Sequence, residues 1–239
     1  MKIEIWSDYA CPYCYIGERQ LEKALERFSG KENIDISYKA FELDPSASYK
    51  VTTNTKDRVA KKYGYTSEQA QQMIDNVTRY AKSVGLDYNY ATVRYTNTFD
   101  AHRIAKYAET KGKGLEMSEK LFHAYFTENK EMSDHKFLTD IAIELGLDKL
   151  EVEDVLKNNK FSENVRSDEH EASRLGIHSV PCFVINRKYS ISGAQPVEVL
   201  KKSIEKILQE ENILKPVENK NLDGMTCDSN GCSIPNNKQ

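Results

Sequence analysis

The sequence predicts an α/β fold in which a large all-helical insertion separates two halves that contain β-strands. Two stretches with strand character, 2–6 and 33–41, lie on either side of a helical stripe that begins after Cys14. The pattern is then helical over residues 56–175, and strand character returns at 180–192 before a final helix. Strand, helix and strand at the first spacing indicate a βαβ unit with parallel pairing and a right-handed crossover.

Two cysteines, three positions apart, mark the junction between the first strand and the first helix. On a first helical turn, Cys11 and Cys14 would lie about 5–6 Å apart, within the Cα separation that a disulfide accepts. Pro12 suits the first turn, where a backbone N–H has no intrahelical partner. The positive end of the helix dipole favours the thiolate form of Cys11. We interpret the pair as a redox centre in which Cys14 resolves a mixed disulfide on Cys11. Half of a zinc site and two bystander thiols are the alternatives.

The composition indicates a soluble globular protein and excludes several functions. Hydrophobic residues make up 39% of the 239 residues and charged residues 30%, and no apolar stretch is long enough to cross a membrane. A net charge of −3 gives no basic surface for nucleic acid. The first predicted strand begins at residue 2 and leaves no room for a signal peptide. The chain as written is therefore expected to be cytoplasmic, where cysteines are more often catalytic or metal-binding than cross-linked.

Start and stop residues divide the central block into successive helices. Thr66 with Gln69 predicts a capping box, and Ser133 is predicted to cap a later helix. Asp148 with Glu151 indicates a further helix start. The remaining predicted helices begin and end at about residues 99–111, 115–127 and 162–175.

The last part of the chain combines a hairpin, a helix and a tail. Strands at 180–185 and 189–192 are predicted to pair across a short turn, and a helix follows from about Val197. The final residues, from 212 on, are rich in Asn and Lys and are predicted to be a mobile tail. This tail nevertheless carries two cysteines in a C-x4-C arrangement, Cys227 and Cys232.

Four short motifs carry a resemblance to a known family. They are Ser7-Asp8-x-x-Cys11-Pro12-x-Cys14, Asn97-Thr98-x-x-Ala101-His102-Arg103, Gly176-Ile177-x-x-Val180-Pro181 and Gly193-Ala194-Gln195-Pro196. With the order of elements, they resemble a thioredoxin fold with a helical insertion between its halves, as in the DsbA family. Within that family the chain resembles the FrnE-like branch, which is cytoplasmic and related to 2-hydroxychromene-2-carboxylate isomerases and kappa-class glutathione transferases. The resemblance covers about residues 2–208, and the C-x4-C tail resembles a second cysteine motif of some members.

The resemblance implies a domain organisation and a set of roles. Residues 1–55 and 176–211 would form the thioredoxin-like domain, 56–175 the helical insertion domain and 212–239 the tail. Cys11 would be the attacking thiol and Cys14 the resolving thiol. Pro181 would be a cis-proline facing them, and Val180 would offer backbone hydrogen bonds to an extended substrate. The other candidate substrate-binding residues are Pro12, Tyr13 and His102; for His102, a structural role at a helix start, with Asn97 as the cap, is the alternative.

Three departures from the family pattern affect the expected chemistry. The dipeptide between the cysteines is Pro-Tyr, whereas strongly oxidising relatives have Pro-His, so we expect a weaker oxidant than DsbA. The position six residues before the first cysteine, where many thioredoxin-like proteins keep a buried acid, holds Ile5; Glu4 or Asp8 is the candidate substitute. Cys182 directly follows the expected cis-proline, either as a third reactive thiol or as a small buried strand residue.

Three functions remain open at the level of sequence. The first is a thiol–disulfide oxidoreductase or isomerase that acts on protein or small-molecule thiols and disulfides, together with a cellular thiol reductant. No cofactor is expected, with glutathione as a potential co-substrate, and no membrane or nucleic-acid partner. The second is a glutathione-dependent isomerase of an aromatic metabolite, although related isomerases typically place Ser where this chain has Cys11. The third is a zinc-binding structural module that uses Cys11, Cys14, Cys227 and Cys232.

Two further expectations concern the remaining cysteines and histidines. Cys227 and Cys232 are predicted to be a second redox pair that exchanges with the first, because a turn-prone segment separates them and a tail brings them to Cys11 at high effective concentration. A disulfide that only pins the tail is the alternative. No metal site is expected from the other histidines, which share no ligand spacing and are predicted to lie at the surface: His123, His135, His170 and His178.

Overall fold

The four longer strands of the protein form one mixed sheet. The computed structural model describes residues 1–26, 28, 33–213 and 226–233. Strand β2 runs parallel to β1, and β3 runs antiparallel to both β1 and β4, which gives the order β2-β1-β3-β4. The predicted βαβ unit and hairpin are both present. The strands are β1 (Lys2–Ser7), β2 (Asp35–Ala40), β3 (Cys182–Ile185) and β4 (Tyr189–Ser192).

Nine α-helices lie in the described part of the chain, and seven of them fall between β2 and β3. In these residues no helix is both long and apolar enough to span a bilayer. The topology is that of a thioredoxin fold with a helical insertion, as the sequence predicts. The helices are α1 (Pro12–Leu25), α2 (Thr55–Tyr63), α3 (Ser67–Ser83), α4 (Phe99–Thr110), α5 (Gly114–Phe126), α6 (His135–Glu144), α7 (Lys149–Lys157), α8 (Ser162–Arg174) and α9 (Val197–Ile213).

Alternation along β1 divides the core between the two faces of the sheet. Ile3 and Ile5 lie in a cluster that includes Leu200 of α9, while Trp6 lies in the larger cluster that contains the insertion. Successive strand residues point to opposite faces, so one strand supplies both layers. The Trp6 indole donates a hydrogen bond of 3.0 Å to the Asp168 carbonyl oxygen in α8, which ties the insertion to the sheet.

Helix starts follow the capping chemistry of the sequence, with one correction. The Thr66–Gln69 capping box is formed in full, as predicted. Ser133 is not the cap of α6: Asp134 is, because its carboxylate accepts hydrogen bonds from two backbone N–H groups of the first turn. The Ser133 hydroxyl instead donates to the Tyr49 carbonyl oxygen at 2.8 Å.

The prediction of a mobile tail is wrong for residues 226–233. They form a small antiparallel hairpin of β5 (Thr226–Asp228) and β6 (Gly231–Ser233). The Asp228 carboxylate closes the turn by accepting N–H bonds from Asn230 at 2.7 Å and Gly231 at 2.9 Å. Asp, Asn and Gly at these positions are typical turn residues, so the local sequence favours a hairpin. Residues 212 and 213, also predicted as tail, continue α9, and residues 214–225 and 234–239 lie outside the described part of the chain.

A buried acid on α1 makes stability depend on pH. Burial, together with the charges of Glu119 and Glu22, raises the pKa of Glu18 from 4.5 to about 8. The folded protein then keeps Glu18 neutral at a pH where the unfolded chain ionises it. The free energy of unfolding is therefore highest, as far as Glu18 is concerned, below about pH 4.5, where the group is neutral in both states. It falls as the pH rises toward 8, because the unfolded chain releases a proton that the folded protein keeps.

We therefore expect Glu18→Gln to stabilise the protein progressively as the pH rises. Between about pH 5 and pH 8 the free energy of unfolding of the wild type should fall by about 3 kcal/mol relative to the variant. Urea unfolding of both proteins across this range measures the difference. Glu163→Gln, at an exposed position of α8, is the control and should show no such trend. A pH-independent difference for Glu18→Gln would contradict the prediction.

Candidate functional site

The cysteine pair lies at the start of α1, just after the end of β1. Cys11 is the N-cap with an extended backbone, and Cys14 lies one turn into the helix. The Cys11 N–H donates to the Asp8 carbonyl oxygen at 3.0 Å, and the Tyr88 hydroxyl donates to the Pro12 carbonyl oxygen at 2.8 Å. Both cysteines carry free thiols and are buried, with Cys11 fully inaccessible. The strand-to-helix placement is as the sequence predicts.

A cis-proline loop faces the pair. The Val180–Pro181 peptide bond is cis, and the Cys11 Sγ lies 3.7 Å from the Val180 carbonyl oxygen, to which the thiol donates a weak hydrogen bond. Close packing holds the loop against α1: a Cβ at Gly17 would lie 3.0 Å from the Pro181 ring. Glycine at this position therefore allows the helix and the loop to approach each other.

The environment of Cys14 opposes its ionisation. Burial raises the pKa of the Cys14 thiol well above its usual value, and the hydrogen bond to Cys11 raises it further. The Ser7 hydroxyl and the backbone at Asp8 act in the opposite direction. Cys14 therefore stays a neutral donor toward Cys11 in the reduced protein. A Cys11 at the N-cap and a neutral, buried Cys14 suit the roles of attacking thiol and resolving thiol.

Cations on α2 supply positive charge near the pair. Burial lowers the pKa of Lys62, as does the nearby charge of Arg58, while Asp228 and Cys11 raise it. The Arg58 guanidinium lies 4.3 Å from the Tyr95 ring centroid. The sequence analysis missed both residues. The sequence shows that Arg58 and Lys62 are four residues apart and so share one face of a helix. It does not show that this face points toward Cys11, because that depends on how α2 packs in the tertiary structure.

Asp8 is the buried acid closest in the chain to the pair. Its carboxylate accepts N–H bonds from Leu43 at 2.8 Å and Ala10 at 3.1 Å. Glu4, the other candidate, lies in the middle of β1, where its carboxylate pairs with the Arg187 guanidinium. Of the two substitutes considered for the missing acid, the structure places Asp8 beside the pair.

His102 is buried beside Asp8 and Tyr9. Its Nε2 lies 3.6 Å from the Asp8 Oδ1, and its ring centroid lies 4.7 Å from that of Tyr9. Only 4% of His102 is exposed, so it is not part of the outer surface of the site. Asn97 is not the cap of α4, as the structural alternative expected: Thr98 is the N-cap and makes no side-chain capping bond, while the Asn97 carboxamide oxygen accepts the Phe99 N–H at 2.9 Å one residue earlier.

The tail hairpin pairs with the cis-proline loop. The Val180 N–H donates to the Cys227 carbonyl oxygen at 2.9 Å, and the Cys227 N–H donates to the Val180 carbonyl oxygen at 2.7 Å. That carbonyl oxygen is also the one that the Cys11 thiol approaches. The hairpin further contacts α2: the Lys62 ammonium donates to the Asp228 carbonyl oxygen at 3.4 Å. The backbone groups expected to bind substrate are therefore occupied by the chain's own tail.

Cys227 is in the oxidised state in this arrangement. It is fully buried and disulfide-bonded, and the hairpin register places Cys232 directly opposite it. The side chain of Cys232 lies outside the described part of the structure. A disulfide-bonded Cys227 is not available as a zinc thiolate, and this observation counts against the zinc-module alternative. Among the described residues, the group with metal-ligand spacing is acidic and contains no cysteine: Glu18, Glu22 and Glu119.

The remaining candidates are either buried or lie apart from the cysteine pair. Cys182 is buried in β3, and burial raises the pKa of its thiol to about 11, as expected of an inert strand residue. Pro12 and Tyr13 are buried, so contact between substrate and either residue requires the covering elements to move. The four histidines predicted to lie at the surface are all exposed: His123, His135, His170 and His178.

A cysteine pair that opens a helix, a cis-proline loop opposite it and a four-stranded mixed sheet define the class of thioredoxin-fold thiol oxidoreductases. The chain belongs to the DSBA-like thioredoxin domain family, whose model matches residues 2–205.

Proteins similar to this chain include a probable oxidoreductase, an uncharacterized protein and an isomerase. The probable DsbA oxidoreductase SCO1869 from Streptomyces coelicolor is 34% identical, with a TM-score of 0.83 over 98% of this chain and 99% of that chain. The uncharacterized protein YwbO of Bacillus subtilis (strain 168) is 28% identical over 84% of this chain and 94% of its own length. A 2-hydroxychromene-2-carboxylate isomerase shares the fold at 17% identity, with a TM-score of 0.65 over 90% of this chain and 100% of its own.

Proposed function

We propose that this protein is a FrnE-like, cytoplasmic thiol–disulfide oxidoreductase or disulfide isomerase that works through the Cys11-Pro-Tyr-Cys14 pair. The observation that carries the proposal is the approach of the Cys11 thiol to the Val180 carbonyl oxygen at 3.7 Å, next to a cis-proline. This arrangement suits an extended polypeptide that pairs with the Val180 backbone and presents a disulfide to Cys11.

In the proposed cycle, the Cys11 thiolate attacks a substrate disulfide and forms a mixed disulfide, and one substrate sulfur leaves as a thiolate. Cys14 then attacks the Cys11 sulfur, so that the Cys11–Cys14 disulfide forms and the second substrate sulfur leaves. The substrate is reduced and the protein is oxidised. A cellular thiol such as glutathione then reduces the Cys11–Cys14 disulfide: two glutathione molecules become glutathione disulfide and the dithiol is restored. If a substrate dithiol attacks the Cys11–Cys14 disulfide instead, the substrate is oxidised. If another substrate thiol attacks the mixed disulfide at Cys11, the substrate disulfide is isomerised.

Nothing at position 11 favours the isomerase alternative. A glutathione-dependent isomerase needs to bind and activate the thiol of glutathione, whereas here Cys11 and Cys14 supply two protein thiols at that place. The fold shared with the isomerase at 17% identity does not transfer its reaction to this chain.

We also propose that Cys232 is the disulfide partner of Cys227 and that this second pair exchanges with the first. The tail then serves as an internal substrate, since Cys227 pairs with Val180 as an external polypeptide would. Transfer would oxidise the Cys11–Cys14 dithiol and reduce the tail disulfide, so electrons and protons balance within one chain. The same contact means that the hairpin must leave before an external polypeptide can pair with Val180.

The reduced protein should reduce insulin disulfides, and redox titration against glutathione should show a two-electron transition at Cys11–Cys14 in addition to that of the tail pair. We expect a potential more negative than the value of about −120 mV of DsbA, because no histidine lies between the cysteines. Cys182→Ala is the matched control and should leave both measurements unchanged. A protein that shows no thiol–disulfide exchange but isomerises an aromatic substrate with glutathione would require the alternative function.

A further inference from the structure

The second step of the proposed cycle requires Cys14 to lose a proton in a buried place. Cys14 is 1% exposed, and burial raises the pKa of its thiol well above its usual value. Only the thiolate attacks a disulfide. Many thioredoxin-like proteins use a buried acid for this proton, but here Ile5 occupies that position and packs in the apolar core. Some other group has to accept the proton.

The Ser7 hydroxyl acts on the Cys14 thiol. Ser7 ends β1 and is 3% exposed, and its hydroxyl favours the ionised form of Cys14. The Ser7 Oγ has no hydrogen-bond partner among the described residues, so it is open to a water molecule. A hydroxyl both donates and accepts hydrogen bonds, so it can pass a proton on but cannot hold one. A relay through Ser7 therefore needs a basic group beyond it.

Beyond Ser7 lies a cavity of about 420 Å³ between the sheet and helices α4 and α5. Ser7, His102 and Ser118 line its inner part, and the exposed Glu109 and Glu116 line its outer part. A water molecule takes up about 30 Å³, so the cavity can hold several waters that connect the buried end to solvent.

His102 is the basic group at the inner end of this cavity. Its Nε2 is buried and makes no hydrogen bond to any residue that the structure describes, although the Asp8 Oδ1 lies 3.6 Å away. A buried ring nitrogen without a hydrogen bond is costly, and a water in the cavity would satisfy it. The nearby Asp8 carboxylate stabilises an imidazolium once the proton has arrived.

We propose that His102 is the proton acceptor for Cys14, reached through Ser7 and water in this cavity and supported by Asp8. The inference rests on the proposed thiol–disulfide exchange. In the step itself the Cys14 S–H bond breaks and its proton moves through the Ser7 hydroxyl and water to His102. The Cys14 thiolate then forms a bond to the Cys11 sulfur, and the bond between Cys11 and the substrate sulfur breaks. The proton leaves His102 to solvent along the cavity.

Charged and titratable groups face His102 from several elements. They are Asp8 and Tyr9 from the β1–α1 junction, Glu42 after β2, Arg166 of α8 paired with Glu42, and Lys106 on α4 itself. The two carboxylates favour the protonated imidazole and the two cations oppose it. Among the charged groups that the structure describes, Asp8 is the one within 4 Å of the ring nitrogen.

A two-phase reaction separates the attack by Cys11 from the resolution by Cys14. The full-length chain with alanine at Cys182, Cys227 and Cys232 keeps only the active pair reactive. Mixed in reduced form with 5,5′-dithiobis(2-nitrobenzoate), it releases one coloured thiolate when Cys11 attacks and a second when Cys14 resolves the mixed disulfide. Stopped-flow absorbance gives both rates across a range of pH.

In this background, His102→Gln should slow the second phase by about 10²-fold near neutral pH, the scale of general base catalysis, and leave the first phase within about twofold. Ser7→Ala should slow the same phase. The loss should shrink as the pH rises, because hydroxide then takes the Cys14 proton, and added imidazole should restore part of the rate in His102→Gln.

Two matched replacements control for burial and for the loss of a histidine. Thr139→Val removes a buried hydroxyl of α6 that does not line the cavity, and His135→Gln removes an exposed histidine; neither should change the second phase. An unchanged second phase in His102→Gln, or equal slowing of both phases without rescue by imidazole, would overturn the relay. A parent protein that shows no second phase would instead overturn the proposed function.

Discussion

Replacing Cys11 by serine should abolish thiol–disulfide exchange. We expect kcat/KM for insulin reduction to fall by at least about 10³-fold, the scale seen when a catalytic nucleophile is removed, because a serine hydroxyl does not form the nucleophilic anion that a thiol does. The fold should survive, since the two side chains differ by one atom. Insulin turbidity and the free energy of unfolding measure the two properties separately.

Cys14→Ser tests the other half of the assignment, the resolving thiol. It retains the attacking thiol and lacks the resolving one, so mixed disulfides with substrate should accumulate and be visible by mass spectrometry. Cys182→Ser, which changes a third buried thiol, should have neither effect. If the Cys11→Ser protein keeps near-wild-type exchange activity, the assignment of the nucleophile is wrong.

Removal of residues 220–239 should produce the second large effect: alkylation of Cys11 should become faster, whereas turnover should become slower. Without the hairpin, the Cys11 thiol and the Val180 backbone are uncovered, so alkylation of Cys11 by iodoacetamide should accelerate by at least about tenfold, given that a tethered segment competes at millimolar effective concentration. Turnover with a limiting reductant should slow, because the second cysteine pair is lost. In the full-length Cys14→Ser background, a Cys11–Cys227 or Cys11–Cys232 cross-link should be trapped.

Gly231→Ala separates covering from exchange. A Cβ at Gly231 would overlap the Tyr63 ring of α2, and its φ of 142° disfavours a side chain. This variant should release the hairpin while both tail cysteines remain, so Cys11 alkylation should accelerate as in the deletion. Ser229→Ala, in the exposed turn, is the control.

Unchanged alkylation on deletion would show that the hairpin does not cover the pair in solution. Unchanged turnover without a cross-link would leave the tail a structural appendage.

Local sequence patterns were sufficient for the elements and for the pair itself. Period-two and helical patterns predicted the βαβ unit, the helical insertion and the final hairpin, because they depend on which side chains are buried within one segment. Thr66 and Gln69 predicted a helix start for the same reason, since a capping box is closed within four residues. Cys11 and Cys14 were recognisable from three positions of spacing at a strand-to-helix junction.

The tertiary structure decided which distant residues surround that pair. The tail carries Asp, Asn and Gly at turn positions, but its docking depends on two backbone hydrogen bonds to Val180, and backbone groups leave no trace in side-chain patterns. His102 was a motif residue of open role until Asp8, from a different element, was found 3.6 Å from it. Spacing along the chain therefore predicted the thiol pair of this protein. Contacts between segments far apart in sequence decided what covers the thiols and which groups lie close to them, because folding alone brings those groups together.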